Sequence, residues 1–178
     1  MNYRCKNFAL IILTFLIIQC KQSREENNSI SKNLSIKKNI LEQQKKSIRG
    51  KKIKSLSDIL EDSLKTSNKT IFLYNGFDCG TCIDVGYEIS KKIDSLNKSK
   101  KVYIISTSAN IGRDQLKNSY IDYVYNDEKD LIRKELKFIY TPVFLRLDIE
   151  GSIKNVFFPN YNRDFKAEEN FILKCVSK

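Results

Sequence analysis

The sequence predicts a single α/β domain behind a basic N-terminal extension, and three observations predict it. Apolar, partly β-branched runs suited to strands alternate with segments of helical period. A hairpin pattern then appears in the last third of the chain. With 178 residues, 41% of them apolar, the chain has enough material for one packed core and no sign of an internal repeat.

Each element has its own justification. Ser55–Lys65 is a short helix capped by Ser55 or Ser57, with Leu56, Ile59, Leu60 and Leu64 on one face. Thr70–Tyr74 (TIFLY) is a strand buried on both faces. Asn75-Gly76-Phe77-Asp78 breaks it, and Cys79-Gly80-Thr81-Cys82 follows. Cys82, Gly86, Ile89, Ile93 and Leu96 then recur at alternating steps of four and three, which places them on one face of a helix. Lys101–Thr107 is a second buried strand and Tyr120–Tyr125 a third, nearer an edge. Asn126 caps the next helix, whose acidic first turn (Asp127, Glu128, Asp130) and basic end (Lys134, Lys137) complement the helix dipole. Its buried stripe is Ile132, Leu136 and Ile139. After Thr141-Pro142, the runs Val143–Leu147 and Ile153–Phe158 flank a turn at Asp148–Gly151 and form a hairpin. A final helix runs from about Arg163 to Val176, where Phe165, Ile172, Cys175 and Val176 suit a core.

The extension divides in two. Residues 1–19 have the form of an export signal: a basic start, then the eleven-residue apolar run Phe8–Ile18, too short to cross a bilayer core. Cys20 stands at its polar boundary and resembles the lipidated cysteine of bacterial lipoproteins, although Gln19 occupies a place where that signal prefers a small residue. An uncleaved signal anchor, or cleavage nearby that leaves Cys20 a bystander, is the alternative. The resemblance implies an exported protein, anchored by lipid to a bacterial membrane and facing the periplasm or the cell exterior. Residues 20–54 are expected to be a flexible linker and 55–178 the folded domain.

Charge supports that division. The net charge is +11, but residues 21–54 hold eleven Lys/Arg against three acids, whereas residues 55–178 hold 19 basic and 18 acidic groups. Nucleic-acid binders concentrate positive charge on the folded domain, so no nucleic acid is expected as a partner. The basic stretch reads as a solvated spacer, or as a contact to an anionic membrane surface.

Histidine is absent, which removes Ser-His-Asp and Cys-His catalysis, His-ligated metal centres and proximal-His haem. No cofactor is implied. The chemistry instead points to Cys79 and Cys82. Three residues apart at the mouth of a helix, their sulfurs come within disulfide reach, and the helix N-terminus favours thiolate on the outer one. Cys79 would then attack a disulfide and Cys82 would resolve the mixed disulfide. A permanent structural disulfide, or half of a zinc site, is the competing reading. For zinc the domain supplies only one further cysteine, Cys175, best read as a core residue.

Three features in order, FLYNGFDCGTC, then YTP opening a strand, then LDIEGSI as a hairpin turn, resemble the thioredoxin superfamily and within it the TlpA-like thiol–disulfide oxidoreductases. The resemblance covers about Thr70 to Val176. It implies a three-layer sandwich with a central mixed sheet flanked by helices, and an enzyme exchanging disulfides with dithiol or disulfide client proteins and a redox partner. It further implies a cis Thr141–Pro142 bond beside the cysteines. Thr141, Pro142 and Phe77 would contact substrate, and the chain would act as a monomer. The pattern departs from the family at three points. Asp78 stands where Trp is usual, Gly80-Thr81 replaces Gly-Pro, and Leu73 occupies the place of the buried acid, for which Asp78 and Asp84 are the nearest substitutes though each reads as a solvated charge. A redox-weak module that only binds proteins is therefore the second functional reading.

Overall fold

The structure, a computed structural model, describes residues 35–60, 69–97, 101–108 and 111–177. The chain divides into two units, Met1–Glu42 and Gln43–Lys178. Of the first, only residues 35–42 are described, and they are helical. The proposed signal segment, Cys20 and the earlier part of the linker lie outside the described residues.

The second unit contains the sheet. Helical residues 35–48 (α1) cross into it, and α2 (Leu56–Ile59) precedes β1 (Thr70–Tyr74). There follow α3 (Gly80–Asn97), β2 (Val102–Ser106), α4 (Ile111–Lys117), β3 (Val124–Asn126) and α5 (Leu131–Glu135). The strands β4 (Val143–Leu147) and β5 (Ile153–Phe157) and the helix α6 (Phe165–Val176) close the unit. The strand order is β3-β2-β1-β4-β5, with β1, β2 and β3 parallel and β4 antiparallel to both of its neighbours.

Alternation along the strands builds a core on each face. Ile71, Leu73, Tyr103, Ile105, Val143, Leu145 and Leu147 pack beneath Ile132, Leu136 and Ile139 of the α5 region and Leu56 and Leu60 of the α2 region. Phe72, Tyr74, Val102, Ile104 and Phe144 face the other way, onto Ile83, Tyr87, Ile89 and Ile93 of α3 and Phe171, Ile172 and Cys175 of α6. The result is the mixed sheet between two helical layers that the resemblance implies.

The linker boundary needs correction. Residues 43–54 belong to the folded unit: Ile48 and Ile53 are buried in the first core, 1% and 6% exposed. Gly50 N–H donates to Ile153 O (2.8 Å) and Ile153 N–H to Lys51 O (2.8 Å), adding a short pairing beside the start of β5. Two buried isoleucines among six basic residues were too sparse for periodicity to register.

Other differences are local. Helix α4 has no signature in the sequence, because its Ile111 and Leu116 give too little apolar pattern in seven residues. β3 begins only at Val124, and Ile121 is 98% exposed, since the alternation YIDYVY spans a loop and a three-residue strand. Leu96 and Phe165 are exposed rather than buried because each lies at a helix end beyond the packed layer. The carboxylate of Asp127, not Asn126, caps the start of α5 by accepting from Leu131 N–H (2.8 Å) and Ile132 N–H (3.0 Å).

Two polar clamps hold the helices. Arg163 donates to both oxygens of Glu88 on α3 (2.8 and 3.1 Å) and of buried Glu168 on α6 (3.0 and 2.5 Å), tying the second layer together. Glu135 accepts from Lys54 N–H (2.7 Å), Ser55 N–H (3.1 Å) and Ser55 Oγ–H (3.0 Å), which fastens α5 to the segment before α2. Partial burial pushes this carboxyl up, but those three hydrogen bonds and the Lys54 charge outweigh it and hold it below 4.5. Its folded pKa is thus depressed, so the stabilisation is present above the unfolded pKa and is lost as pH falls through the folded one. Glu135→Gln is expected to cost about 1 kcal/mol at pH 7. Urea unfolding at pH 7 and pH 3 should show that cost shrinking at the lower pH.

Candidate active site

Strand β1 ends at the centre of the sheet, and the turn after it carries the chemistry. Asn75 shapes that turn: its Oδ1 accepts from Phe77 N–H (2.9 Å) and its carbonyl from Asp78 N–H (2.9 Å). The end of β2 holds the turn from one side. Asn75 Nδ2 donates to Thr107 Oγ1 (2.8 Å) and Gly76 N–H to Ser108 Oγ (3.2 Å).

Cys79 is the residue on which α3 starts, for its carbonyl accepts the first helical bond, from Ile83 N–H (3.0 Å). Its thiol is exposed, while Cys82, one turn on, is buried at 7% exposure. Cys79, Cys82 and Cys175 are all in the reduced form, outside any disulfide. Slight burial pushes the Cys79 thiol up, but hydrogen bonds from the Cys82 thiol, the Thr81 hydroxyl (3.1 Å) and the Cys82 and Thr81 backbone amides prevail and lower it. Hydrogen bonds of this kind favour thiolate, the nucleophilic form, on the accessible sulfur, while the buried sulfur beside it is shielded from solvent.

The Thr141–Pro142 peptide bond is cis. The Thr141 hydroxyl donates to Asp78 Oδ1 (3.0 Å), so the turn before Cys79 and the segment before β4 meet directly. Pro142 is buried and Thr141 half-buried. Phe77 projects into solvent, 94% exposed, at the tip of the turn. The structure thus brings Phe77, Asp78, Cys79 and Cys82 onto one turn and its helix, with Thr141 against Asp78.

Asp78 is not a solvated charge. Its Oδ2 accepts from Asn75 N–H (2.7 Å) while Oδ1 takes the Thr141 hydroxyl. Burial pushes its carboxyl above the ordinary range, opposed by those two bonds and the Arg133 charge. Asp84 is engaged elsewhere, paired with Lys117 Nζ (2.6 Å) and Asn118 Nδ2 (3.1 Å) on α4 and just beyond it. Leu73 is fully buried among apolar neighbours. Cys175 lies in the second core, where burial pushes its thiol up against the opposing Thr70 hydroxyl and Arg146 charge, so it is a packing residue. No group of three or more Cys, Asp or Glu able to hold a metal ion occurs among the described residues.

The partners of this turn are distant in sequence, and only Asn75-Gly76 carried a local turn signal. That Thr107, Ser108 and Thr141 would converge on residues 75–78 follows from the strand order, which no local pattern encodes.

No protein-family model matches the chain, and no curated protein matches it. Solved structures do. A candidate thiol:disulfide interchange protein DsbE from Chlorobium tepidum superposes with a TM-score of 0.52 at 15% identity, over 66% of this chain and 85% of that one. A secreted Mycobacterium tuberculosis disulfide oxidoreductase gives 0.49 at 15% identity, covering 64% and 84%. A thiol-disulfide isomerase from Corynebacterium glutamicum gives 0.48 at 17% identity, covering 66% and 86%.

Proposed function

From the premise that the chain has a thioredoxin-like fold, we propose that it is a thiol–disulfide oxidoreductase working through the Cys79–Cys82 dithiol on protein clients. The observation that carries this reading is the pairing of an exposed, hydrogen-bonded Cys79 at the start of α3 with a buried Cys82 one turn inside.

The exchange proceeds in two displacements. The Cys79 thiolate attacks one sulfur of a client disulfide, forms the Cys79–client mixed disulfide, and expels the other client sulfur as a thiolate that takes up a proton. Cys82 then gives up its proton and attacks Cys79 Sγ, releasing the second client thiol. The client gains two electrons and two protons, and the protein is left with a Cys79–Cys82 disulfide for a dithiol partner to reduce. The same steps run backward oxidise a client. Thr141 supplies backbone beside Cys79 for an extended client segment, with Pro142 fixing that backbone and Phe77 as an apolar contact.

The tethering belongs to this proposal. Phe8–Ile18 followed by Cys20 supports export and a lipid anchor, with the residues up to about 42 as spacer. Among the described residues no helix is long and apolar enough to cross a membrane. Mass spectrometry of the mature N-terminus should find diacylglycerol on Cys20; an unmodified Cys20 in the mature protein removes the anchor.

The test of function is reduction of insulin by the reduced protein with dithiothreitol as electron source. Wild type should exceed the Cys79→Ser/Cys82→Ser double variant. Equal rates would leave the redox-weak binding module, which the apolar Leu73, standing where the resemblance places a buried acid, favours.

A further inference from the structure

We propose that Asp78 is a positioning residue that sets the register between the nucleophile turn and the Thr141–Pro142 segment; this rests on the exchange function proposed above. Asp78 and Thr141 are 63 residues apart in sequence and meet through one hydrogen bond, Thr141 Oγ1–H to Asp78 Oδ1 (3.0 Å). The other carboxylate oxygen takes Asn75 N–H (2.7 Å), so each oxygen holds a different loop. Asn75 is in turn fixed to β2 through Thr107 (2.8 Å).

The choice of a carboxylate here has a physical reason. A half-buried charge is costly unless hydrogen bonds satisfy it, and these two are of the charge-assisted kind. Both oxygens are engaged by protein donors in part-buried surroundings, unlike those of a helix-start aspartate that meets only solvent. Asp78 thus acts through Thr141 and through the turn, and needs no contact with the reacting sulfurs. Disulfide exchange requires three sulfurs in line, and a client held on the Thr141 backbone presents its disulfide to Cys79 only if the two loops keep their spacing. A displacement of about 1 Å is enough to lose a factor on the order of 100 in such a geometry.

Three measurements on the full-length reduced protein test this. In hydrogen exchange read by mass spectrometry, Thr141→Val should speed exchange of the Asn75 and Asp78 amides by about tenfold, although Thr141 is remote in sequence. In insulin reduction, Asp78→Ala and Thr141→Val should each lower kcat/KM by about tenfold, and the double variant by about the same tenfold rather than a hundredfold. Alkylation of Cys79 by iodoacetamide, which needs no docked client, should change by less than about twofold. Asp78→Asn keeps an acceptor for the Thr141 hydroxyl but loses the one for Asn75 N–H, and should recover part of the rate; with Thr141→Val it keeps the test decisive if Asp78→Ala does not fold. Unchanged amide exchange, multiplicative losses in the double variant, or Asp78→Asn as impaired as Asp78→Ala would each overturn the inference. If wild type reduces insulin no faster than the Cys79→Ser/Cys82→Ser variant, the exchange function fails instead, and amide exchange alone then decides the role of Asp78.

Discussion

Cys79→Ser is expected to bring insulin reduction down to the rate of dithiothreitol alone, whereas Cys82→Ser is expected to leave the first displacement intact and trap its product. The asymmetry follows from exposure and from the bonds at each sulfur. Cys79 is open to solvent at the start of α3, with the Thr81 hydroxyl 3.1 Å from its sulfur, and a serine hydroxyl in its place would not ionise near neutrality. Cys82 is only 7% exposed, so a client disulfide reaches it only as a mixed disulfide already formed on Cys79. Non-reducing electrophoresis of Cys82→Ser mixed with an oxidised client should show an adduct that dithiothreitol dissolves and that the double variant does not form. An adduct through Cys82 in the Cys79→Ser protein would reverse the two roles.

The second large effect is structural and sits directly behind the site. Gly86→Ala drives a methyl group into the end of the Phe72 ring, against Cζ, Cε1 and Cε2. The ring has little freedom to retreat: it stacks on Phe144 at 4.7 Å and on Tyr74 at 5.5 Å, and meets the edge of Tyr87 at 6.0 Å. Alanine gains about 1 kcal/mol over glycine in helix propensity, but overpacking a filled core costs about 1–3 kcal/mol and sometimes more. Contact with three ring atoms puts this site at the upper end, so the net loss should be about 2 kcal/mol or more, read as a drop in the urea midpoint. Gly112→Ala on α4 is the control. Nothing lies within 4 Å of its added carbon, so it should be neutral or slightly stabilising. Phe72→Leu should relieve part of the Gly86→Ala loss if the ring is the obstacle.

Legibility in the sequence followed the range of the determinants. β1 is bounded to the residue because TIFLY is buried on both faces and leaves a nearly continuous apolar run between breakers, and β4 because Thr141-Pro142 and the Asp148–Gly151 turn bracket VFLRL, although Arg146 interrupts its apolar run. Helix α3 was legible because eighteen residues give five turns over which a stripe repeats. The short elements were not: α4 has seven residues and β3 three, fewer than a period needs. The start of the folded unit was placed late for a related reason, since Ile48 and Ile53 are isolated apolar residues whose burial depends on the pairing of residues 50–52 with the start of β5. At the site, the cysteines announced themselves by spacing and by their place after a strand. Asp78 gives no such signal, since its Thr141 partner lies just before β4, a strand that the chain reaches only after crossing to the far side of the sheet and back.

Everything chemical depends on the ionisation of one exposed sulfur, and that is directly measurable. In the fully reduced full-length protein, the rate of iodoacetamide alkylation at Cys79, assigned by peptide mass spectrometry, is followed against pH, with buried Cys175 as the slow internal reference. Hydrogen bonding to the Cys79 sulfur predicts a midpoint below the ordinary thiol value of about 8.5. A midpoint at or above that value would contradict a Cys79 thiolate poised for attack.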